Sequence, residues 1–337
     1  MTCSSTLRRR INRRRFLRIC AIASASACLP SSAPGANQAL QRWTGTALGA
    51  PAEINLLGVD GEKARALFRL VDHEIRRLEG IFSLFRDDSE LVRLNKDGCL
   101  KAPSLEFIEL LGTVRLVHRV SDGAFDPTVQ PLWIRFANGT APQDLSEMRA
   151  FADAASRTGF AKVRFDPSQI RYEKSGMAMT LNGIAQGYIT DRVTALLEAR
   201  GCRNVVVDLG EISARGGGSS GQHDDNGGWS VTLRPDPAHP SARTGIRLKD
   251  AAVASSARLG TTLDREGNHS HILDPRSGHP VNADLIAASV IAPSAALADG
   301  VSTAALVTGR KGLGTTLSQL PATKAFVVRE DGTAGWM

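Results

Sequence analysis

Segments with a helical apolar period and short strand-like runs follow one another along this chain without a strand–helix–strand rhythm. That order limits the fold more than any other feature. Residues 61 to 82 place Leu67, Leu70, Val71, Ile75, Leu78 and Phe82 at helical spacing. A second helix is predicted from Ser104, a suitable N-cap, with Leu105, Ile108, Leu111 and Val114 on one side, and a third after Ser146. Strand-like runs follow at 163–165, 170–172 and 177–181, then a helix over 184–199 leading into the apolar strand NVVVDLG at 204–210. Further strands are predicted at 229–234, 245–255, 270–273, 285–292 and 324–328, with one more helix over 294–307. A doubly wound parallel sheet needs regular βαβ units, which this order does not supply, so the fold class is α+β. Residues 215–228, RGGGSSGQHDDNGG, have the composition of a loop or hinge.

The net charge of +7 invites a nucleic-acid reading, but its distribution removes it. Residues 1–18 hold seven arginines and no acid; without them, 34 basic side chains face 34 acidic ones. The body is therefore neutral and carries no bulk attraction for nucleic acid or anionic lipid. The arginines precede ICAIASASACLPSSA, which gives residues 1–28 the plan of a signal peptide, with a Pro/Ser/Ala-rich linker over 29–40 and one domain over 41–337. NRRRFLR, Asn12 to Arg18, resembles the twin-arginine export signal, so the expected location is the periplasm. Ala25-Ser26-Ala27-Cys28 reads either as a degenerate lipoprotein box or as an ordinary cleavage site ending at Ala27. Of five cysteines, only Cys99 and Cys202 lie clearly beyond the leader, so neither a disulfide framework nor a cysteine metal site is implied.

Four segments carry candidate chemistry. TLNGIAQGYITDRV (180–193) puts two glycines, an amide and an aspartate at a strand–helix join, where backbone approaches closely and anions are favoured. SDGAFDPTVQPLW (121–133) has turn residues around Asp126, and HSHILDPRSGHP (269–280) holds three histidines and Asp274. In LADGVSTAALVTG (297–309), Asp299 and Thr303 stand four apart on an apolar helix and share one face. A carboxylate and hydroxyl buried there are costly unless they bind something or each other. Oxygen donors of this kind suit Mg²⁺ rather than zinc, and Mg²⁺ beside a helix N-terminus is a means of neutralising a pyrophosphate. The four segments point to Mg²⁺-dependent chemistry on a nucleotide diphosphate.

Seven pieces in order also resemble the ApbE family of FAD:protein FMN transferases: FSLFRDDSELVRLN, GAFDPTVQPL, LNGIAQGYITD, VVVDLGEI, VASSA, HILDP and LADGVSTAAL. The resemblance implies an α+β fold of mixed sheets with flanking helices around an FAD cleft. It implies side-chain ligands to Mg²⁺ from Asp299 and Thr303, with the carbonyl of Gly183 as a third. Ala124, Phe125, Asp126, Thr180 and Ile272 would contact FAD. Phe85 stands at a usual tyrosine that packs on the isoalloxazine, and Leu48 at a methionine near the flavin. Gln186 replaces the usual lysine of G-I-A-K-G beside the pyrophosphate, and Gly210-Glu211 lacks the first glycine of N-x-G-G-E. LNGIAQGY is similar to the NosX-type branch linked to nitrous oxide reductase maturation, which makes a membrane-bound NosR-type electron-transfer protein the expected acceptor.

The implied reaction moves FMN from FAD to a threonine hydroxyl of that acceptor and releases AMP. His271 is the candidate base, for an imidazole has suitable basicity near neutral pH. Two alternatives keep the same fold and metal: a non-catalytic FAD carrier, and an FAD pyrophosphatase. A zinc hydrolase built on His269, His271, His279 and Asp274 is a more distant rival.

Overall fold

The computed structural model describes residues 40–138, 144–218, 227–236, 238–263 and 269–337. The expected signal peptide and linker lie outside the described residues, except for Leu40, which already begins the first strand.

An eight-stranded sheet runs in the order β1 (Leu40–Ala47), β2 (Ala50–Leu57), β6 (Asn204–Asp208), β7 (Ile212–Arg215), β10 (Ala251–Ala257), β11 (Leu285–Ala292), β12 (Lys324–Arg329) and β13 (Ala334–Trp336). Every pairing among the described strands is antiparallel, so the expected mixed sheets resolve into antiparallel ones. β3 (Cys99–Lys101), β5 (Gln169–Tyr172) and β4 (Val163–Asp166) form a small second sheet, and β8 (Trp229–Leu233) pairs with β9 (Thr244–Leu248). All eight residues of β11 are buried. The reason is two-sided cover: the long helix α7 (Ala295–Ser318) packs on one face, and Trp229, Val231 and Leu233 pack with Ile291 and Val253 on the other. A strand covered on both faces needs an unbroken apolar run, and LIAASVIA supplies one.

Helix α1 (Gly61–Phe82) begins at Asp60, whose carboxylate accepts from the N–H groups of Glu62 and Lys63. Leu67, Val71, Ile75, Leu78 and Phe82 are its buried stripe, as the period predicts, while Leu70 is only half-buried. Truncating a fully buried side chain such as Leu78 costs about 2–5 kcal/mol. Helices α2 (Glu90–Asp97), α3 (Leu105–Val120, capped by Ser104), α4 (Gln130–Asn138), α5 (Leu145–Ser156) and α6 (Ala185–Ala199) complete the described helical elements.

The structure departs from the sequence expectation at particular places. The third predicted helix is capped by Asp144, which accepts from Glu147 N–H, and Ser146 donates to that same carboxylate. The predicted strand 245–255 is two strands, broken at Lys249-Asp250, where Asp250 takes a left-handed φ of 48°. Residues 270–273 form only isolated bridges, Thr262 with Ser270 and Leu273 with Pro280. Residues 177–181 alternate in burial like a strand, with Met177, Met179 and Leu181 inside, yet pair with none. Instead the Asn95 side-chain amide bonds both Met179 N–H and Met179 C=O at 2.8 Å, standing in for a neighbouring peptide. The final helix turns sharply at Gly309 (φ 66°, ψ −171°), close to the predicted end at 307, and Asp284 caps its second half by accepting from Arg310 N–H.

Candidate active site

The junction of α6 with α7 builds the site. Gly187, in the first turn of α6, meets the carbonyl of Ala295; a Cβ there would stand 2.3 Å from that oxygen, so only glycine allows the contact. One turn on, Asp191 accepts from the N–H groups of Ala295 and Ala296 at 2.7 and 2.9 Å, satisfying the N-terminus of α7. This clamp places Asp299, one turn along α7, where its Oδ2 accepts from Gly187 N–H at 3.2 Å. Thr303 follows on the same face beside Gly183, whose imagined Cβ would lie 2.9 Å from Thr303 Oγ1. Gly183, Asp299 and Thr303 are thus brought together.

They line a cleft of about 170 Å³ together with residues of the 124–129 loop and with His271, Ile272 and Leu273, and Phe125 comes within 3.5 Å of the Cβ position at Gly183. Ala124, Phe125, Asp126, Thr180, Gln186 and Ile272, all expected near the ligand, line it. Leu48 and Phe85 are not among its lining residues. Leu48 sits in the two-residue turn between β1 and β2 at a φ of 47°, its N–H held by Glu79 Oε1, and Phe85 is 37% exposed.

Side-chain roles differ from residue to residue. The Asp126 carboxylate accepts from Thr128 N–H and Oγ1 and from Phe160 N–H, so it shapes its own loop. Gln186 is buried and donates to the carbonyl of Leu209 at 2.9 Å, tying α6 to the turn after β6. The His271 Nδ1 lies 2.9 Å from Thr261 C=O; a proton donated there leaves Nε2 with a free lone pair. Burial moves the imidazole pKa down, which keeps the ring neutral.

Buried acids lie in the cleft, at Glu211 and Asp299, and close behind it, at Asp191 and Asp208. Burial, with a smaller push from Asp191, raises the Asp299 pKa to about 7. Burial raises Asp191 to about 6 against the pull of its two N–H partners, and Asp208 to about 7. Glu211 goes well up, first through burial and then through the charge of Asp299. Glu211 lines the cleft and accepts from Ser255 N–H at 3.2 Å. Sequence reasoning gave it no role, since nothing in VVVDLGEI shows that the glutamate after the strand turns inward. It also missed Ser256, whose Oγ stands 2.7 Å from Ser302 Oγ and 3.4 Å from Thr303 Oγ1, steadying the Thr303 hydroxyl.

A carboxylate, a hydroxyl and an adjacent backbone carbonyl are hard oxygen donors. With other acids buried around them they fit Mg²⁺, which keeps several waters and binds through one or two carboxylates plus phosphate oxygens. The zinc constellation does not assemble: Asp274 gives both oxygens to Arg276, and the His279 ring packs on Phe136. Among the described residues no group of three or more His, Cys, Asp or Glu is placed to hold a metal.

The fold is that of the flavin transferases. The solved structure of flavin transferase ApbE from Vibrio cholerae superposes with a TM-score of 0.76 over 89% of this chain and 97% of that one, at 22% identity. The flavinyl transferase ApbE of Pseudomonas stutzeri gives 0.73 over 89% and 96%, at 24% identity. The ApbE family model matches residues 48–327, and the chain belongs to that family. Among curated relatives, the FAD:protein FMN transferase of Salmonella typhimurium is 26% identical, covering 90% of this chain and 85% of that protein. The one from Treponema pallidum is 28% identical over 76% and 75%.

Proposed function

We propose that this chain is an FAD:protein FMN transferase that uses Mg²⁺ to move FMN from FAD onto a threonine hydroxyl of a NosR-type electron-transfer protein, releasing AMP. The observation that carries the reading is the meeting of Gly183, Asp299 and Thr303 beside a neutral His271 in a cleft crowded with buried acids. Gly183 C=O, the Asp299 carboxylate and Thr303 Oγ1 would hold the cation, and Ser256 and Gly187 N–H hold two of those groups in place. The cation, when bound, supplies positive charge to the pyrophosphate oxygens.

The remaining work falls to the protein. Ala124, Phe125, Thr180 and Ile272 wall the cleft around the nucleotide, with Asp126 keeping the loop rigid. His271 Nε2 takes the proton of the acceptor threonine as its oxygen bonds to the phosphorus on the FMN side. The anhydride bond to the AMP phosphate breaks in the same displacement, and the electron pair leaves with AMP. Gln186 offers no charge beside the pyrophosphate, which leaves neutralisation to the cation. Leu48 and Phe85, outside the lining of the cleft, are assigned to the flavin end, where a phenyl ring 37% exposed offers a face for stacking. The leader directs export to the periplasm by the twin-arginine route; replacing Arg13 and Arg14 together by lysine should leave the precursor in the cytoplasm on fractionation.

The test of function combines mature protein, FAD, Mg²⁺ and a purified NosR-type periplasmic domain. Mass spectrometry of the domain should show one added FMN that is lost with EDTA or when its threonine is replaced. Release of free FMN and AMP without an adduct would replace transfer with FAD hydrolysis. FAD bound intact, with neither product, would make the protein a carrier.

A further inference from the structure

The reaction requires a polypeptide hydroxyl to enter the cleft, and one wall of the cleft continues into a second concavity. Beyond Thr180 the same extended segment runs back to Ala178 and Gly176, which line a groove of about 400 Å³ against α4 and α5. Met177, Met179 and Leu181 point into the core, so Ala178 and Thr180 share the outer face, one in the groove and one in the cleft. Two residues of extended chain separate them, about 6.6 Å.

Within the segment one residue, Ala178, keeps its backbone groups unpaired among the described residues. Successive residues of an extended chain aim their N–H and C=O groups to opposite sides. Met179 uses both of its groups on Asn95, and Thr180 N–H donates to Pro127 C=O. Ala178, which lines the groove, has no hydrogen-bond partner for its N–H or C=O among the described residues. Across the groove stand Ile134, 39% exposed, and Arg135, an exposed cation with no ionic partner among the described residues. The other guanidinium there, Arg157, is already paired with Asp153 at 2.6 Å.

We propose that the groove receives the acceptor protein as an extended segment that adds to Ala178 as a strand, sets an acidic side chain against Arg135, and so feeds its threonine past Thr180 into the cleft. Main-chain bonds would supply affinity, and the apolar and cationic wall would supply selection, as in other cases of strand addition. The proposal rests on the transferase reading.

The test uses the mature protein with the NosR-type domain, in two measurements. With a domain whose target threonine is replaced by alanine, amide exchange at Ala178 should be fast in the free protein and protected in the complex. In turnover with the intact domain, Ala178→Pro removes the N–H without breaking any internal bond and should raise KM for the domain about tenfold, the loss of a hydrogen bond or two. Arg135→Glu, at an exposed position, should raise KM severalfold should the proline variant fold poorly. In both variants kcat and the affinity for FAD should change less than about twofold, since neither residue lines the cleft. Transfer with unaltered KM and no protection at Ala178 would overturn the docking site while leaving the transferase intact. Concentration-dependent protection in the protein alone would give the groove to a second copy and overturn the proposal. A wild-type protein that transfers nothing to the domain and does not bind it would overturn both readings together.

Discussion

Two aspartates lining one cleft have opposite fates. Asp126 is buried yet accepts from Thr128 N–H and Oγ1 and from Phe160 N–H, so its charge is spent inside the protein. Asp299 is also buried but, among the described residues, its carboxylate accepts only from Gly187 N–H, and the acids Asp191 and Glu211 are its charged neighbours. The first carboxylate is structural and the second is held in waiting. A buried carboxyl with too few donors is unfavourable unless a proton or a cation joins it, and the site uses that cost to bind a metal.

The largest effect expected from this contrast is chemical. Asp299→Ala should lower FMN transfer about 10³-fold or more, abolish the rise in melting temperature that Mg²⁺ gives, and leave a folded protein. Transfer that survives without Asp299 would erase the distinction between the two carboxylates. Asp126→Ala should act through stability instead. Losing several bonds and leaving Phe160 N–H unpaired costs about 2–4 kcal/mol, a fall of about 3–6 °C in melting temperature, with the Mg²⁺ increment retained.

A pH series sharpens the same contrast. In the metal-free protein the raised pKa of Asp299 means that its contribution to stability is fullest below the unfolded value of 3.8 and is lost as pH rises through about 7. The cation requires the ionised form, so its affinity should fall roughly tenfold per unit below that pKa. The difference in melting temperature between Mg²⁺-saturated and EDTA-treated protein should therefore grow from about pH 6 to about pH 8. A difference that is flat with pH would remove Asp299 from the metal.

Smaller effects separate backbone from side chain. Gly183→Ala would push a methyl group against Thr303 Oγ1 and should weaken Mg²⁺ binding about tenfold, measured by titration calorimetry. Gln186→Ala removes one buried bond to Leu209 C=O and should cost about 1 kcal/mol in denaturant unfolding, leaving the Mg²⁺ increment in place. A large loss of metal affinity in that variant would move Gln186 from the scaffold into the metal site.

The regular elements that rest on local period were legible in the sequence. The stripe from Leu67 to Phe82 and the cap at Ser104 appear where the spacing places them, although the helix after Ser104 buries Phe107, Leu110, Leu111, Val114 and Val117 and leaves Leu105 of its predicted side 67% exposed; Asp299 and Thr303 share a face because four residues make about one helical turn. The β1–β2 hairpin was not legible, for its turn is Leu48-Gly49 and holds a leucine at positive φ with help from Glu79, 31 residues away. Residues 177–181 have a strand's alternation and no strand to pair with, because Asn95 occupies the place of the partner.

By itself the sequence determined the α+β class, the main helices, the family motifs and the residue types able to hold a hard cation, since these depend on period, spacing and donor chemistry. Only the tertiary structure decided which acids are charged at a cost. Gly187 lets α6 touch α7, Asp191 fixes the helix end, and Glu211 turns inward beside Asp299. Burial and long-range neighbours set those energies, and neither is written in the order of residues along the chain.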